Sequence, residues 1–274
     1  RGVYTGLLRM GRLFRQKEWK EDRRNRDELN RIRKRIVADT PTTPEVTAAT
    51  GTAVLEEELL GHRIRPCRGI HAFGSLDPGS GAKLDHDLLE WLEGSQEPVV
   101  LVSFGSVVPS GTALARRVLN GLTETGTRIL WVGAREGAQD IDQPRGGRLR
   151  REVFLPQPEV LGHPRVRVFV THAGSGGVQD AIWNGKPILA LPILSDEPYN
   201  AWVIEALGAG LCIPARSVSA PGIRRSVRHL LEDPSFTLRA EELSDRMRRK
   251  EGGRRIRELL HRILENPGGM TFNG

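Results

Sequence analysis

The sequence contains only two cysteines, Cys67 and Cys212, among 274 residues. Two thiols cannot build the network of disulfides that stabilises small secreted domains. Neither cysteine belongs to a set of Cys and His motifs of the kind that holds zinc. The composition therefore predicts ordinary thiols, no bound metal and a cytoplasmic location.

Long apolar runs are also missing from the sequence. No window offers the ~18 to 20 apolar residues that a membrane-spanning helix needs, and no apolar signal core is present. The chain begins at Arg1 instead of a methionine. We therefore expect a processed or truncated chain and no helix that spans a membrane.

Positive charge is concentrated in one place. Residues 1–37 contain 13 Lys and Arg against 5 Asp and Glu, whereas the whole chain carries a formal charge of +7. Helix formers and spaced apolar residues predict a charged helix here, followed by a linker near residues 74–81. Such a segment can contact an anionic membrane surface. It lacks the aromatic or glycine-rich pattern of nucleic-acid binders, so we expect no nucleic-acid partner.

Beyond this segment the apolar residues form short runs, which is typical of strands buried on both faces. The runs occupy residues 99–104, 128–132, 165–170, 187–192 and 210–213. Stretches with helical spacing separate them, and a basic helix over 239–264 closes the chain. This alternation predicts an α/β fold with a Rossmann-like parallel sheet. We assign residues 1–80 to a basic helical segment and linker, and residues 81–274 to the sheet domain.

One strand runs directly into a glycine-rich turn, which reads Thr-His-Ala-Gly-Ser-Gly-Gly from Thr171 to Gly177. Glycines let backbone N–H groups approach an anion, and a helix that opens near Ser175 adds a favourable dipole. His172 can donate a further hydrogen bond. The turn matches neither the Walker lysine motif nor G-x-G-x-x-G, which disfavours ATPases and dehydrogenases. The pattern fits a pyrophosphate, although such turns also occur for purely steric reasons.

Several sequence blocks in a fixed order resemble the UDP-dependent glycosyltransferases, the family of UDP-glucuronosyltransferases and UDP-glucosyltransferases. The blocks are Phe-Leu-Pro-Gln-Pro-Glu at 154–159, Phe-Val-Thr-His-Ala-Gly at 169–174, Gly-Lys-Pro-Ile at 185–188 and Ser-Asp-Glu-Pro-Tyr-Asn at 195–200. The resemblance covers roughly residues 66–264. It implies the C-terminal, donor-binding half of a two-domain GT-B glycosyltransferase. It also implies an inverting transfer of a hexose from a UDP-sugar co-substrate, without cofactor or metal.

The resemblance also assigns roles to individual residues. It implies that Phe154 stacks on the uracil, that Gln157 lies against the nucleoside and that Asp180 binds the ribose hydroxyls. Asp196 and Glu197 correspond to the pair that holds the donor sugar. The diphosphate is expected to contact Ser106, His172, Gly174, Ser175, Gly176 and Gly177.

Other readings of the same residues stay open. Phe154 could belong to the core, and Asp180 could be a solvated acid in the first turns of a helix. Several positions depart from the family's commoner residues, which leaves room for a sugar-nucleotide-binding subunit without turnover. A UDP-N-acetylglucosamine 2-epimerase on a similar fold is a further alternative.

The resemblance places the catalytic base outside this chain. In the family the base is a histidine of the preceding N-terminal domain, which also binds the acceptor. Such a domain needs roughly 150 to 200 residues, so only its tail would fit into the first 65 residues. We therefore assign no catalytic base. We expect an N-terminal acceptor domain or a second chain to bind the small-molecule or lipid acceptor.

Overall fold

A computed structural model describes residues 75, 77–79, 81–105, 112–133, 147–194, 196–249, 253–254, 258 and 261. All of these residues belong to the compact unit Ala48–Gly274. The predicted helix in residues 1–37 and residues 74, 76 and 80 of the predicted linker lie outside the described residues. Within the described ranges, no helix is both long enough and apolar enough to cross a membrane.

Six strands form one sheet in which every neighbouring pair is parallel. The strands are β1 Val99–Ser103, β2 Arg128–Val132, β3 Leu149–Glu152, β4 Val166–Thr171, β5 Ile188–Ala190 and β6 Gly210–Cys212. Their order across the sheet is β3-β2-β1-β4-β5-β6. This is the strand order of dinucleotide-binding Rossmann sheets, so the predicted fold class is confirmed.

Helices cover both faces of this sheet. They are α1 His86–Glu93, α2 Ala113–Thr123, α3 Gln157–Gly162, α4 Ser175–Trp183, α5 Glu197–Ala206, α6 Ala220–Glu232 and α7 Pro234–Arg248, with a 3-10 turn at Ala215–Ser217. Apolar residues of α1, α3, α4, α5 and α7 pack on one face. Those of α2 and α6 pack on the other. Successive strand residues such as Val168 and Phe169 point to opposite faces, so every strand except the edge strand β3 contributes to both cores.

Local sequence signals explain where the helices begin. The carboxylate of Asp85 accepts the N–H of Asp87 at the start of α1, and Thr112 and Ser219 cap α2 and α6 in the same way. Side-chain oxygens at these positions satisfy N–H groups that have no partner inside the helix.

The last helix begins earlier than expected. The sequence predicts a basic helix from residue 239, but α7 begins at Pro234, five residues before that position. Asp233 caps this helix through the N–H of Ser235. Proline is well suited to a first helical position because its nitrogen has no hydrogen to leave unsatisfied.

Candidate functional site

The chain reverses direction across the sheet between β1 and β4, which are neighbours in space. The connection from β1 leads outward to β2, and that from β4 leads outward to β5 on the other side. Ser103 pairs with Thr171, so both strands end side by side. In sheets of this kind, ligands bind in the crevice beyond the strand ends at this reversal.

His172 follows β4 at this point and lies between two glycines. A Cβ atom placed on Gly174 would be 2.5 Å from Nε2 of the imidazole, and one on Gly105 would be 3.4 Å from Cε1. Gly105 follows β1 and has a φ of +55°. The half-buried ring therefore needs glycine at position 174, and the positive φ favours glycine at position 105. The sequence analysis predicted neither role, because Gly174 was expected only to contact the diphosphate.

The glycine-rich turn continues directly into α4, as predicted. The helix begins at Ser175, and Gly174 is its N-cap. A Cβ on Gly176 would meet no atom within 4 Å, whereas one on Gly177 would lie 3.4 Å from the ring of Phe169. The first N–H groups of α4 thus lie on an unobstructed backbone beside His172, a geometry that suits an anion.

Gln157 and Asp180, both expected to contact the nucleoside, are hydrogen-bonded to each other. The amide Nε2 of Gln157 donates to Oδ2 of Asp180 at 2.8 Å, and this bond joins α3 to α4. Burial raises the pKa of the Asp180 carboxyl; the Gln157 hydrogen bond opposes this rise, and the nearby Glu159 adds to it. Asp180 is therefore not the solvated acid of the alternative reading.

Asp196 belongs to a second hydrogen-bond network, between the turn after β4 and the loop after β5. Its Oδ2 accepts the hydroxyl of Ser175 at 2.7 Å and the amide of Asn200 at 2.9 Å. The same amide of Asn200 donates to the carbonyl of Ala173 at 2.9 Å. The sequence did not reveal this role of Asn200, although it lies four residues after Asp196, one helical turn away.

Glu197 lies in a different environment from the one expected. Its side chain is only 3% exposed. Its Oε2 accepts the backbone N–H groups of Ile193 and Leu194 at 2.7 and 2.8 Å. The carboxylate thus organises the loop that carries Asp196. Direct contact between Glu197 and a sugar stays a prediction.

Phe154 is placed where a planar ligand can reach it. It follows β3, and its side chain is 82% exposed, while the adjacent Leu155 is 5% exposed and packs in the core. Phe154 is therefore not a core residue. Ser106, the remaining predicted contact, lies outside the described residues. In the described part of the chain, no three Asp, Glu, His or Cys side chains are grouped so that they could hold a metal.

Comparison with known proteins places this arrangement in a family. Residues 68–250 match the family described as "UDP-glucoronosyl and UDP-glucosyl transferase". UDP-glucuronosyltransferase 2A3 of Mus musculus is 30% identical over 173 residues, which cover 62% of this chain and 32% of that protein. UDP-glucuronosyltransferase 2B7 of Homo sapiens is 28% identical over 175 residues, with the same two shares. The chain thus spans about a third of the length of these relatives.

Solved structures share this fold. Os79 from O. sativa, crystallised with UDP, superposes with a TM-score of 0.58 and 26% identity over 66% of this chain and 44% of that one. The glycosyltransferase of kitacinnamycin superposes with a TM-score of 0.52 and 26% identity over 73% and 48%. Because the family match covers well over half of the sequence, the chain belongs to the UDP-glucuronosyl and UDP-glucosyl transferases and corresponds to the Rossmann-like C-terminal half of their GT-B fold.

Proposed function

We propose that this chain binds the donor in an inverting transfer of a hexose from a UDP-sugar to an acceptor hydroxyl or similar nucleophile. One observation carries the proposal. A glycine-rich turn with His172 lies at the reversal point of the sheet, where the Gln157–Asp180 pair and the Asp196 network adjoin the same helix, α4. This combination offers polar groups for a nucleoside, a diphosphate and a sugar within one crevice.

The nucleoside is held by residues at and after the end of β3. The exposed ring of Phe154 stacks on the uracil. Asp180 accepts hydrogen bonds from the two ribose hydroxyls, and Gln157 orients its carboxylate. The UDP complex of Os79, which shares this fold at 26% identity, supports the choice of nucleotide.

The diphosphate is the leaving group, and His172 with the first N–H groups of α4 stabilises it. The acceptor oxygen attacks the anomeric carbon from the face opposite the diphosphate. The bond from that carbon to the phosphate oxygen breaks, and its electron pair stays on the diphosphate. Donors that are already in place stabilise this growing charge without reorganising. The acceptor's proton goes to a base on the acceptor side, outside the donor site.

The donor sugar is a neutral hexose such as glucose or N-acetylglucosamine. Asp196 places a carboxylate on the loop next to the sugar, while the carboxylate of Glu197 is buried in that loop and binds its backbone N–H groups. A glucuronate would bring a further negative charge towards Asp196. At ~5 Å and an effective dielectric of about 20, this repulsion is of order 3 kcal/mol before screening. A residual ~1.4 kcal/mol already gives a tenfold preference for the neutral donors.

Calorimetry with the full chain tests this function. We expect UDP to bind at millimolar concentration or below, and a coupled assay for UDP release from UDP-glucose to show little or no turnover by this chain alone. In competition, UDP-glucose and UDP-N-acetylglucosamine should displace UDP-glucuronate. If the chain does not bind UDP, the proposed donor site is wrong. Robust transfer by the chain alone would refute the claim that the catalytic base lies outside it. A preference for UDP-glucuronate would refute the claim that the donor sugar is a neutral hexose.

A further inference from the structure

Asn200 uses both hydrogens of one amide to connect two loops. The side chain is 2% exposed. One N–H donates to the carbonyl of Ala173 in the turn after β4, and the other to Oδ2 of Asp196 in the loop after β5, each at 2.9 Å. A buried amide with both donors satisfied fixes its partners firmly, because breaking either bond leaves a buried polar atom unpaired.

The Ala173 end of this connection is a strained turn. Ala173 has a φ of +70° and is fully buried. This left-handed backbone conformation costs a residue other than glycine about 1 to 2 kcal/mol, so the surrounding contacts must stabilise it. Its N–H donates to Oγ1 of Thr171 at 3.4 Å, and its carbonyl accepts Asn200. Asn200 therefore helps to set the backbone between His172 and Gly174.

The Asp196 end is oriented by two donors at once. Oδ2 accepts both Asn200 and the hydroxyl of Ser175, the first residue of α4. Asn200 lies on α5, one turn after Asp196, so the amide and the carboxylate belong to the same rigid helix start. The direction of the carboxylate is thus tied to the turn that carries His172.

We propose that Asn200 is a positioning residue that couples the diphosphate turn to Asp196, so that recognition of the donor sugar depends on the conformation of that turn. The inference rests on the proposed function, because it takes Asp196 as the sugar contact. Asn200 itself touches neither sugar nor phosphate. Its loss removes one of the two donors to Oδ2 and leaves the hydroxyl of Ser175, so the carboxylate is held less firmly and Asp196 then contributes less to binding the hexose.

A double-mutant cycle between Asn200→Ala and Asp196→Asn measures this coupling. Calorimetry on the full chain gives the affinities for UDP-glucose and for UDP. In the wild-type background, Asp196→Asn should lower UDP-glucose affinity about tenfold, the usual cost of a charge-assisted hydrogen bond. In the Asn200→Ala background the same change should cost about threefold or less. For UDP, which has no hexose, the two substitutions should act independently.

Ser244→Ala is the matched control. Ser244 is also buried, and its hydroxyl donates to the carbonyl of Trp183 at the far end of α4. Its cycle with Asp196→Asn should be additive for both ligands. If Asn200→Ala does not fold, the cycle is made with Asn200→Ser, whose single hydroxyl hydrogen cannot reach both Ala173 and Asp196 and which should show the same coupling.

The outcomes separate this inference from the function on which it rests. If the double-mutant cycles are additive and UDP still binds, the coupling is refuted and the donor-site proposal is not. Coupling of equal size for UDP and UDP-glucose would also refute the inference, because a purely structural role of Asn200 would affect both ligands equally. A wild-type chain that binds neither ligand would overturn both proposals.

Discussion

Gly174 leaves room for the imidazole of His172, and this gives a prediction at the scale of one residue. Gly174→Ala would place a methyl group 2.5 Å from Nε2. The ring can move away, so the fold should survive, but the hydrogen bond to the diphosphate should be lost. We expect UDP affinity to fall about tenfold, measured by calorimetry.

Gly176→Ala serves as the control for that substitution. Its methyl group would meet no atom within 4 Å. Alanine should leave the free energy of unfolding unchanged or raise it by up to about 1 kcal/mol, because glycine is a poor helix former. If Gly174→Ala binds UDP as well as wild type does, His172 has no part in the diphosphate site.

The buried carboxyl of Asp180 predicts a dependence of stability on pH. Burial raises its pKa in the folded state above the ordinary value of 3.8. The folded state therefore holds the proton more tightly than the unfolded state does. Its stabilising contribution is complete below the ordinary pKa and is lost as the pH rises through the raised pKa.

Asp180→Asn removes this titration. In urea denaturation the variant should be more stable than wild type at pH 7 and equally stable at pH 3, where both side chains are neutral. Its Oδ1 can still accept the amide of Gln157. A variant that is less stable at pH 7 would show that the ionised carboxylate is a net stabiliser of the fold.

The candidate site shows what the sequence could and could not predict for single residues. Phe154, Gln157, His172 and Asp196 follow from motif resemblance because they lie at fixed places in the blocks, and Asp180 lies between two of the blocks. Asn200 lies in the last block, but its role depends on the positive φ of Ala173. It also depends on two acceptors from different loops, the carbonyl oxygen of Ala173 and Oδ2 of Asp196. Glu197 was expected to face the sugar, yet its Oε2 binds its own loop. The spacing of residues in the sequence predicts neither the contacts of Asn200 nor those of Glu197.

At the scale of elements, α2 packs against α6 through Gly121. A Cβ there would be 2.6 Å from the carbonyl oxygen of Ala220 and 2.6 Å from Cβ of Ile223, and neither atom can move without its helix. Gly121→Ala should therefore lower the free energy of unfolding by about 1 to 3 kcal/mol, despite the better helix propensity of alanine.

Asn120→Ala is the matched control in the same helix, because residue 120 is exposed. It should leave the free energy of unfolding within about 0.5 kcal/mol of wild type. Urea denaturation of wild type, Gly121→Ala and Asn120→Ala at one pH measures these changes in the free energy of unfolding. A Gly121→Ala variant as stable as the control would mean that the two helices lie farther apart than described.

The elements that the sequence predicted share one physical property. β1 and β5 are buried at every position and β2 and β4 at all but one, which gives nearly continuous apolar runs. The edge strand β3 reads Leu-Arg-Arg-Glu and is half-buried throughout, so its composition carries no strand signal. α6 was also missed, because four polar or basic residues at 224–226 and 228 obscure its apolar stripe. β6 was predicted because its run is apolar, although two of its three residues are half-buried. Apolar runs are therefore readable from composition, whereas half-buried elements rich in charged residues, such as β3, are not.

At the scale of the whole molecule, the site is assembled by topology. The connection from β3 at the sheet edge passes through α3 and returns to β4 at the centre, and this return lets Gln157 contact Asp180. Alternation of strands and helices predicts a parallel sheet but not its strand order. The family resemblance placed the diphosphate near Ser106, after β1, and near His172, after β4, and the structure shows that β1 and β4 end side by side.

Comparison of UDP with inorganic pyrophosphate tests the central claim most directly. Calorimetric titrations of both ligands into wild type and Asp180→Ala distinguish binding of the nucleoside from binding of the phosphates, because pyrophosphate has no ribose. We predict that the substitution weakens UDP binding by about 1 to 3 kcal/mol, the cost of losing charge-assisted hydrogen bonds, and that pyrophosphate binding changes much less. Equal losses for both ligands would contradict the account, because Asp180 would then act on the glycine-rich turn and not on the nucleoside.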